Sequence, residues 1–488
     1  MLALANWPRC RLVLASAADT SSIVGCCAGK DVPVREVELS RRPLAALASV
    51  LRADQWAACA AAAARARKTL AGRVIWNINA TAAGGGVAEI LQTLLGYFLD
   101  AGVDARWLVL DGNADFFAVT KHLHNAIHGF GDPGKLGASA HVAYQRTVKG
   151  NAAELLRQVR PADLVLLHDP QTAGLVEPLR QAGVRVAWRS HIGRDTPNEQ
   201  SVSGWEFLRR YMQDADALVF SRPQHAPEWA PAGRIRIIPP SIDPLDAKNR
   251  PMTTSERIRV LAEGGLLTMN GGPTSPVVQG APPPTPAARL VVQVSRWDRL
   301  KDMPGVMTGF ADASIPSDVH LMLVGPVVSG VPDDPEGAEV LDECVAHWHQ
   351  LPTAARKRIS LVSVPMDDLL KNATIINAVQ GYADVVTQKS LAEGFGLTVT
   401  EAMWKGRPVV GAAVGGIQDQ ITDGQDGLLI EDPMDLDAFA KALRRLFREP
   451  DLAHELGHAA HRRVLANYLD DRHLVSTVDL LTYLLRAS

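Results

Sequence analysis

The chain has 488 residues, 47% of them hydrophobic and 21% charged, with a net charge of −3 and a mean hydropathy of 0.00. That length exceeds one ordinary core and implies two or more domains. The charge balance excludes a basic nucleic-acid-binding surface, and no apolar run is long enough for a membrane span.

The N-terminal stretch through Ala17 lacks a basic n-region, and Pro8, Arg9 and Arg11 interrupt its apolar part, so it reads as an ordinary terminus rather than a signal peptide. Cys10, Cys26, Cys27, Cys59 and Cys344 are odd in number and lack metal-finger spacing, which points to a reduced, cytoplasmic compartment. Residues 52–71 have the alanine-rich composition of a helix. Arg73–Asn79 is a short apolar strand that runs into Gly84-Gly85-Gly86 and a helix from Val87 to Leu99, the opening of a βαβ unit. Further buried parallel strands are expected at Ala105–Leu110, Asp163–Leu167, Arg185–Trp188 and Ala217–Phe220, separated by helices such as Ala152–Val159 and Gly174–Gln181. His122, His124 and His128 read as a polar helix face rather than a metal site, because no cysteine or carboxylate pair accompanies them.

The run Pro239–Pro244 reads equally as a rigid crossing between domains or as a plain proline-rich loop. Residues 263–288 are dense in glycine and proline and read as a flexible surface segment near a domain boundary. The α/β rhythm then restarts, with strands expected at Leu290–Val294, Val319–Val324, Ile359–Val362, Val385–Gln388 and Pro408–Gly411. Gly415-Gly416 either brings backbone beside a ligand or closes a tight turn; His454, His458 and His461 read as a solvated helix face; Arg472–Arg486 is one amphipathic helix. The fold class is α/β: two doubly wound Rossmann-like domains facing a cleft, where ligands bind at the carboxyl ends of parallel strands. The boundaries expected are 1–250, a connecting segment 251–288, and 289–469.

Chemistry concentrates at strand ends. In Ser390–Met403 a strand exit, a glycine turn and a helix start carry one carboxylate on each side, Glu393 and Glu401. Gly394 and Gly396 permit close backbone approach, and the amides opening the helix near Leu397 suit a phosphate. The two carboxylates can accept hydroxyls on either side of it, the layout of a nucleotide sugar. Arg296 and Lys301 leave the carboxyl end of a strand and would bind a diphosphate; the bland alternative is two solvated charges, with Arg299 as the nearest decoy. His168, Asp169, Gln171 and Arg189, His191 follow two first-domain strands, with Asp169 and His191 preferred as acceptor-side groups.

With these residues in hand, the chain resembles the retaining glycosyltransferases of family 4, which have the GT-B fold. The E-x7-E pair Glu393/Glu401 is that family's signature. The strings Trp76–Leu91, Arg106–Val109, Phe116–Lys121, His124–Ala126, Pro240–Pro244 and Gln388–Gly406 are similar to trehalose glycosyltransferring synthases, and the resemblance runs from about Arg73 onward. It implies glucosyl transfer from NDP-glucose to glucose, giving α,α-trehalose reversibly with retention. It further implies a second domain that binds the donor, a first domain that binds the acceptor, and a final helix 470–488 that crosses back to the first domain. Arg296 and Lys301 would hold the diphosphate, with Gly85, Gly86, Gly394, Phe395, Gly396 and Leu397 close to phosphates and sugar. Glu393 would bind glucose hydroxyls, Glu401 the ribose, and His191 would lie by the reaction centre, with Asp169 and Gln171 on the acceptor side. No cofactor is required; Mg2+ enters only as a stimulating ion. The partners implied are small molecules and a second copy in a homodimer, with neither nucleic acid nor membrane. The competing readings are a trehalose phosphorylase, another family 4 transferase with a different acceptor, and a bilobal sugar-binding protein without catalysis.

Overall fold

The computed structural model describes residues 34–82, 85–268, 276–283, 285–311, 315–328 and 336–486. The N-terminal stretch with Cys10, Cys26 and Cys27, and also Gly84, lie outside the described residues. Two seven-stranded sheets organise the chain. The first contains β1 (Val34–Val37), β2 (Val74–Asn79), β3 (Asp104–Leu110), β4 (Leu164–His168), β5 (Arg185–Arg189), β6 (Ala217–Phe220) and β7 (Ile235–Ile237), in the order β1-β3-β2-β4-β5-β6-β7. The second contains β8 (Val277–Gln279), β9 (Arg289–Val294), β10 (Val319–Pro326), β11 (Ile359–Val364), β12 (Val385–Gln388), β13 (Val409–Ala412) and β14 (Leu428–Ile430), in the order β14-β13-β12-β9-β10-β11-β8. Only the edge strands β1 and β8 are antiparallel.

The central strands are buried along their whole length, β2, β4, β11, β12 and β13 without an exposed residue, because helices cover both faces of a parallel sheet. Every strand expected from the sequence is present, to within two residues at either end. Two expectations change. The helix expected at Ala152–Val159 is the far end of a longer one, Ala138–Leu155, whose buried stripe of Ala140, Tyr144, Val148, Ala152 and Leu155 is diluted by small and polar residues. Part of the glycine- and proline-rich stretch, Val277–Gln279, pairs with β11 as an edge strand, held by ladder hydrogen bonds rather than by a hydrophobic pattern.

The final helix, Asp470–Arg486, returns to the first sheet and packs on the helix Ala53–Thr69. Its buried face is Leu474, Val478, Leu481 and Leu484, and Arg65 reaches Asp479 at 2.5 Å. The proline run Pro239–Pro244 lies beside this return crossing. Ile242 bridges to Leu469, Ser241 donates to Asp470 at 2.5 Å, and Arg472 donates to the carbonyls of Pro239 and Pro240. Asp243 in that run accepts from Tyr97 (2.9 Å) and pairs with Arg42 (2.6 Å), so the crossing is tied to the first sheet's helices. Among the described residues no helix is long and apolar enough to cross a membrane.

Candidate active site

The carboxyl ends of both sets of parallel strands meet in one cleft. On the second sheet's side, β9 exits into Ser295–Asp302. Trp297 is buried and donates to the carbonyl of Pro326 (2.8 Å), which anchors the loop. Asp298 caps the short turn Arg299–Lys301 by accepting from the amide of Leu300 (2.8 Å), and Gln293 donates to the carbonyl of Lys301 (2.8 Å). The amide of Leu391 bonds to the carbonyl of Leu300 (2.8 Å), docking the loop after β12 against this turn. The result is a direct contact: Lys301 Nζ lies 2.6 Å from Glu393 Oε2, and both side chains are about one-seventh exposed. Arg296 stands beside them, 3.6 Å from Asp298. Burial works against the charge of Asp298, yet Lys301 and Arg296, then the Leu300 amide and Lys121, hold its carboxyl below the usual carboxylate range. Arg299 instead faces outward to Glu336, Glu339 and Glu343.

The glycine turn after Glu393 is built for close approach. Gly396, at φ +86°, is the N-cap of the helix Leu397–Trp404, and a left-handed backbone there favours glycine. A Cβ on Gly394 would sit 2.3 Å from the carbonyl oxygen of His191, across the cleft. A Cβ on Gly415 would sit 1.7 Å from the carbonyl oxygen of Glu393, so Gly415 serves loop-to-loop packing against the turn. Gly85 caps the helix Gly86–Asp100, and Gly86 lies against the side chain of Leu397. The Phe395 ring is buried in the core beside Tyr468. Glu401, one turn inside its helix, is 1% exposed and pairs with Lys248.

On the first sheet's side, β4 and β5 deliver His168, Asp169, Gln171 and His191. Asp169 takes φ +63° and accepts the backbone amide of His191 (2.8 Å), which locks the two strand ends together. Burial raises its carboxyl to about 7. Gln171 is half-buried one step further along the short helix Asp169–Thr172. His191 Nε2 lies 3.0 Å from His168 Nδ1, whose other nitrogen is 3.2 Å from Asn77 Oδ1. Burial, and then the nearby Arg189, lower the pKa of both rings, His168 to about 3. Arg189 is itself buried and contacts His473 on the final helix (2.8 Å), so the return crossing braces this wall.

Several neighbours were not expected. His128 is buried, not part of a polar face; the end of its helix turns it toward the cleft, where Glu393 and Lys301 are its charged neighbours. His124 has Arg296 and Lys301 among its charged neighbours, and both rings are held neutral chiefly by burial, His128 down to about 4. Asp195, in the loop after β5, accepts from Arg222 (2.6 Å), the amide of Gly415 (2.8 Å) and Gln418 (2.8 Å), and Arg222 pairs with Asp419 (3.1 Å). These side chains bind the two halves across the cleft. His461 is likewise not solvated: it stacks on Trp404 at 4.4 Å, whereas His454 and His458 face each other on the surface.

The neutral histidines carry a pH signature. An unfolded chain protonates such rings near 6.5, but folded His168 resists down to about 3. Between those values the unfolded state binds more protons, so this ring's contribution to stability falls as the pH falls, by up to about 1.4 kcal/mol per pH unit. Asp169, raised to about 7, works in the opposite sense, so the readout is a difference. The melting temperature of a His168→Asn variant, relative to the unsubstituted protein, is expected to rise between about pH 7 and about pH 5. A difference that stays flat removes the buried neutral ring from the account.

Two family models match the chain: trehalose synthase, N-terminal domain, over residues 77–227, and glycosyl transferases group 1, over residues 368–463. A trehalose synthase from Pyrococcus horikoshii is 35% identical over 419 residues, covering 85% of this chain and 91% of the relative. A trehalose synthase from Rubrobacter xylanophilus is 34% identical over 466 residues, covering 93% and 99%. Among solved structures, a sucrose-phosphate synthase from Thermosynechococcus elongatus superposes with a TM-score of 0.63 at 19% identity, covering 85% of this chain and all of that one, a likeness of fold.

Proposed function

This chain belongs to the trehalose synthase family of glycosyltransferases, and we propose from that premise that it moves glucose from NDP-glucose to the C1 hydroxyl of glucose, reversibly, forming α,α-trehalose with retention. The observation that carries the reading is the Lys301–Glu393 contact, a cation and a carboxylate held together at the mouth of a glycine turn, with Arg296 alongside. A cation there meets the diphosphate, and the carboxylate beside it accepts hydroxyls of the attached glucose. Lys301 and Arg296 stabilise the charge that develops on the leaving phosphate. The amides from Gly394 through Leu397, with Gly85 and Gly86 opposite, line the path of the diphosphate, and Phe395 contributes backbone only. Glu401 accepts ribose hydroxyls. Neutral His191 lies by the donor sugar, with Asp169 and Gln171 toward the acceptor.

The bond from glucose C1 to the phosphate oxygen breaks while the bond from C1 to the acceptor oxygen forms on the same face. The acceptor's proton goes to the leaving phosphate, so no side-chain nucleophile is needed. Contacts across the cleft exclude water from the oxocarbenium-like sugar. The test is to incubate the protein with trehalose and ADP, UDP or GDP, and separately with phosphate. Release of NDP-glucose is expected. Release of glucose 1-phosphate would overturn the reading in favour of a phosphorylase, and binding without any product would leave a sugar-binding protein.

A further inference from the structure

Lys248 is the strongest feature of the cleft that the proposed reaction leaves unused. It sits in the turn that follows the proline crossing. Its Nζ is 3.1 Å from each carboxylate oxygen of Glu89 and 2.9 Å from Oε1 of Glu401. Glu89 lies in the first turn of the helix Gly86–Asp100, on the first sheet's side, and is half-exposed; Glu401 belongs to the second sheet's side and is closed off from solvent. One ammonium therefore joins two carboxylates from opposite walls. The other Glu401 oxygen accepts from Gln380 Nε2 (3.1 Å). Lys405 does not compete for the carboxylate: its Nζ donates to Asn249 Oδ1 and to the backbone carbonyl of Glu401 (both 3.2 Å), and burial lowers it to about 7. For Lys248 burial opposes the charge, but Glu401 and Glu89 outweigh it and raise its pKa.

The backbone fixes the position of this ammonium. Asn377 donates to the carbonyls of Ala247 and Arg250 (2.9 Å each), Trp404 donates to the carbonyl of Asn249 (3.0 Å), and the amide of Lys248 bonds to Asp246 (3.1 Å). We infer that Lys248 is a positioning residue for the nucleotide half of the donor: it neutralises Glu89 and Glu401 where the walls meet and holds the Glu401 carboxylate where ribose hydroxyls can be accepted. This rests on the reading of Glu401 as the ribose partner. Without the ammonium, two carboxylates within reach of a single nitrogen face each other, and the buried one loses its only charged partner among the described contacts.

The test uses the full chain with ADP, UDP and GDP as probes and trehalose cleavage as the activity. In Lys248→Met the nucleotide Kd and the KM for nucleotide are expected to rise about tenfold or more, with kcat at saturation within about threefold, because a ground-state carboxylate contact is disturbed rather than the leaving phosphate. The double variant E89Q/K248M is expected to recover most of that loss, since the facing charge is gone; a packing role for Lys248 gives no such recovery. Lys248→Arg keeps the charge and is expected to keep the affinity within about threefold. Wild-type affinity in Lys248→Met, or an unrecovered double variant, overturns the inference. Should Lys248→Met fail to fold, a tenfold loss in Lys248→Arg overturns it equally. Glu401→Gln separates the two levels: unchanged nucleotide affinity there removes the ribose reading and this inference with it, whereas a loss there with normal Lys248→Met removes the inference alone.

Discussion

Lys301→Ala is expected to lower kcat for trehalose cleavage by about 10²- to 10³-fold while the fold persists. Among the described residues the side chain makes one close ionic contact, 2.6 Å to Glu393, and its backbone is held independently by Gln293 and by the Asp298 cap. Removing the ammonium therefore leaves the loop in place and removes the charge. Two losses add: in the proposed reaction the leaving phosphate loses a cation, and among the described residues Glu393 is left with Ser390 Oγ, at 3.3 Å, as its side-chain hydrogen-bond donor. The first loss is larger in the transition state than in the bound donor, because negative charge on the phosphate grows as the C1–oxygen bond breaks. The measurement is steady-state kcat and KM beside a thermal melt. Turnover within tenfold of the unsubstituted protein, with an unchanged melt, would remove Lys301 from the phosphate site.

Gly394→Ala is the second substitution with a large expected effect, and for a different reason. The obstacle is steric: a Cβ would stand 2.3 Å from the His191 carbonyl oxygen, which belongs to the opposite wall. Neither partner is a side chain that can swing aside, so the walls must part by about 1 Å to restore an ordinary contact. A misplacement of that size between donor and acceptor is expected to cost about 100-fold in kcat. Nucleoside diphosphate affinity is expected to change by less than about threefold, because the proposed donor contacts lie mostly on the second sheet's side. Titration with the nucleotide beside steady-state kinetics separates the two. A variant with normal turnover would mean that the walls need not close to this distance during the reaction.

The strands were legible because each is a short, mostly apolar run bounded by turn residues, the mark of a parallel strand covered on both faces. Edge strands β1, β7, β8 and β14 are too short for such a run to stand out: three or four residues each, they are defined by a partner's hydrogen bonds. The same division runs through the site. Glu393, Gly394, Gly396 and Glu401 share one local pattern, and Lys301 follows directly from a strand end. Lys248, Arg222, Asp195 and His128 do not, because their partners are distant in sequence, from 27 residues away for Arg222 and Asp195 to 223 for Gln418 and Asp195. A lysine in a proline-rich turn looks like any solvated lysine until folding sets two glutamates around it. His128 departs from its sequence pattern for a related reason: its i, i+4 spacing to His124 describes a helix surface, while burial of the ring depends on which wall that helix faces.

The last helix is a late arrival. Arg65 and Asp479 touch across 414 positions of chain, so the buried stripe on the helix Ala53–Thr69 gains this cover only after the residues of the second sheet have been made. Removing the helix Asp470–Arg486 would uncover that stripe, so a change in one half of the structure acts on the other.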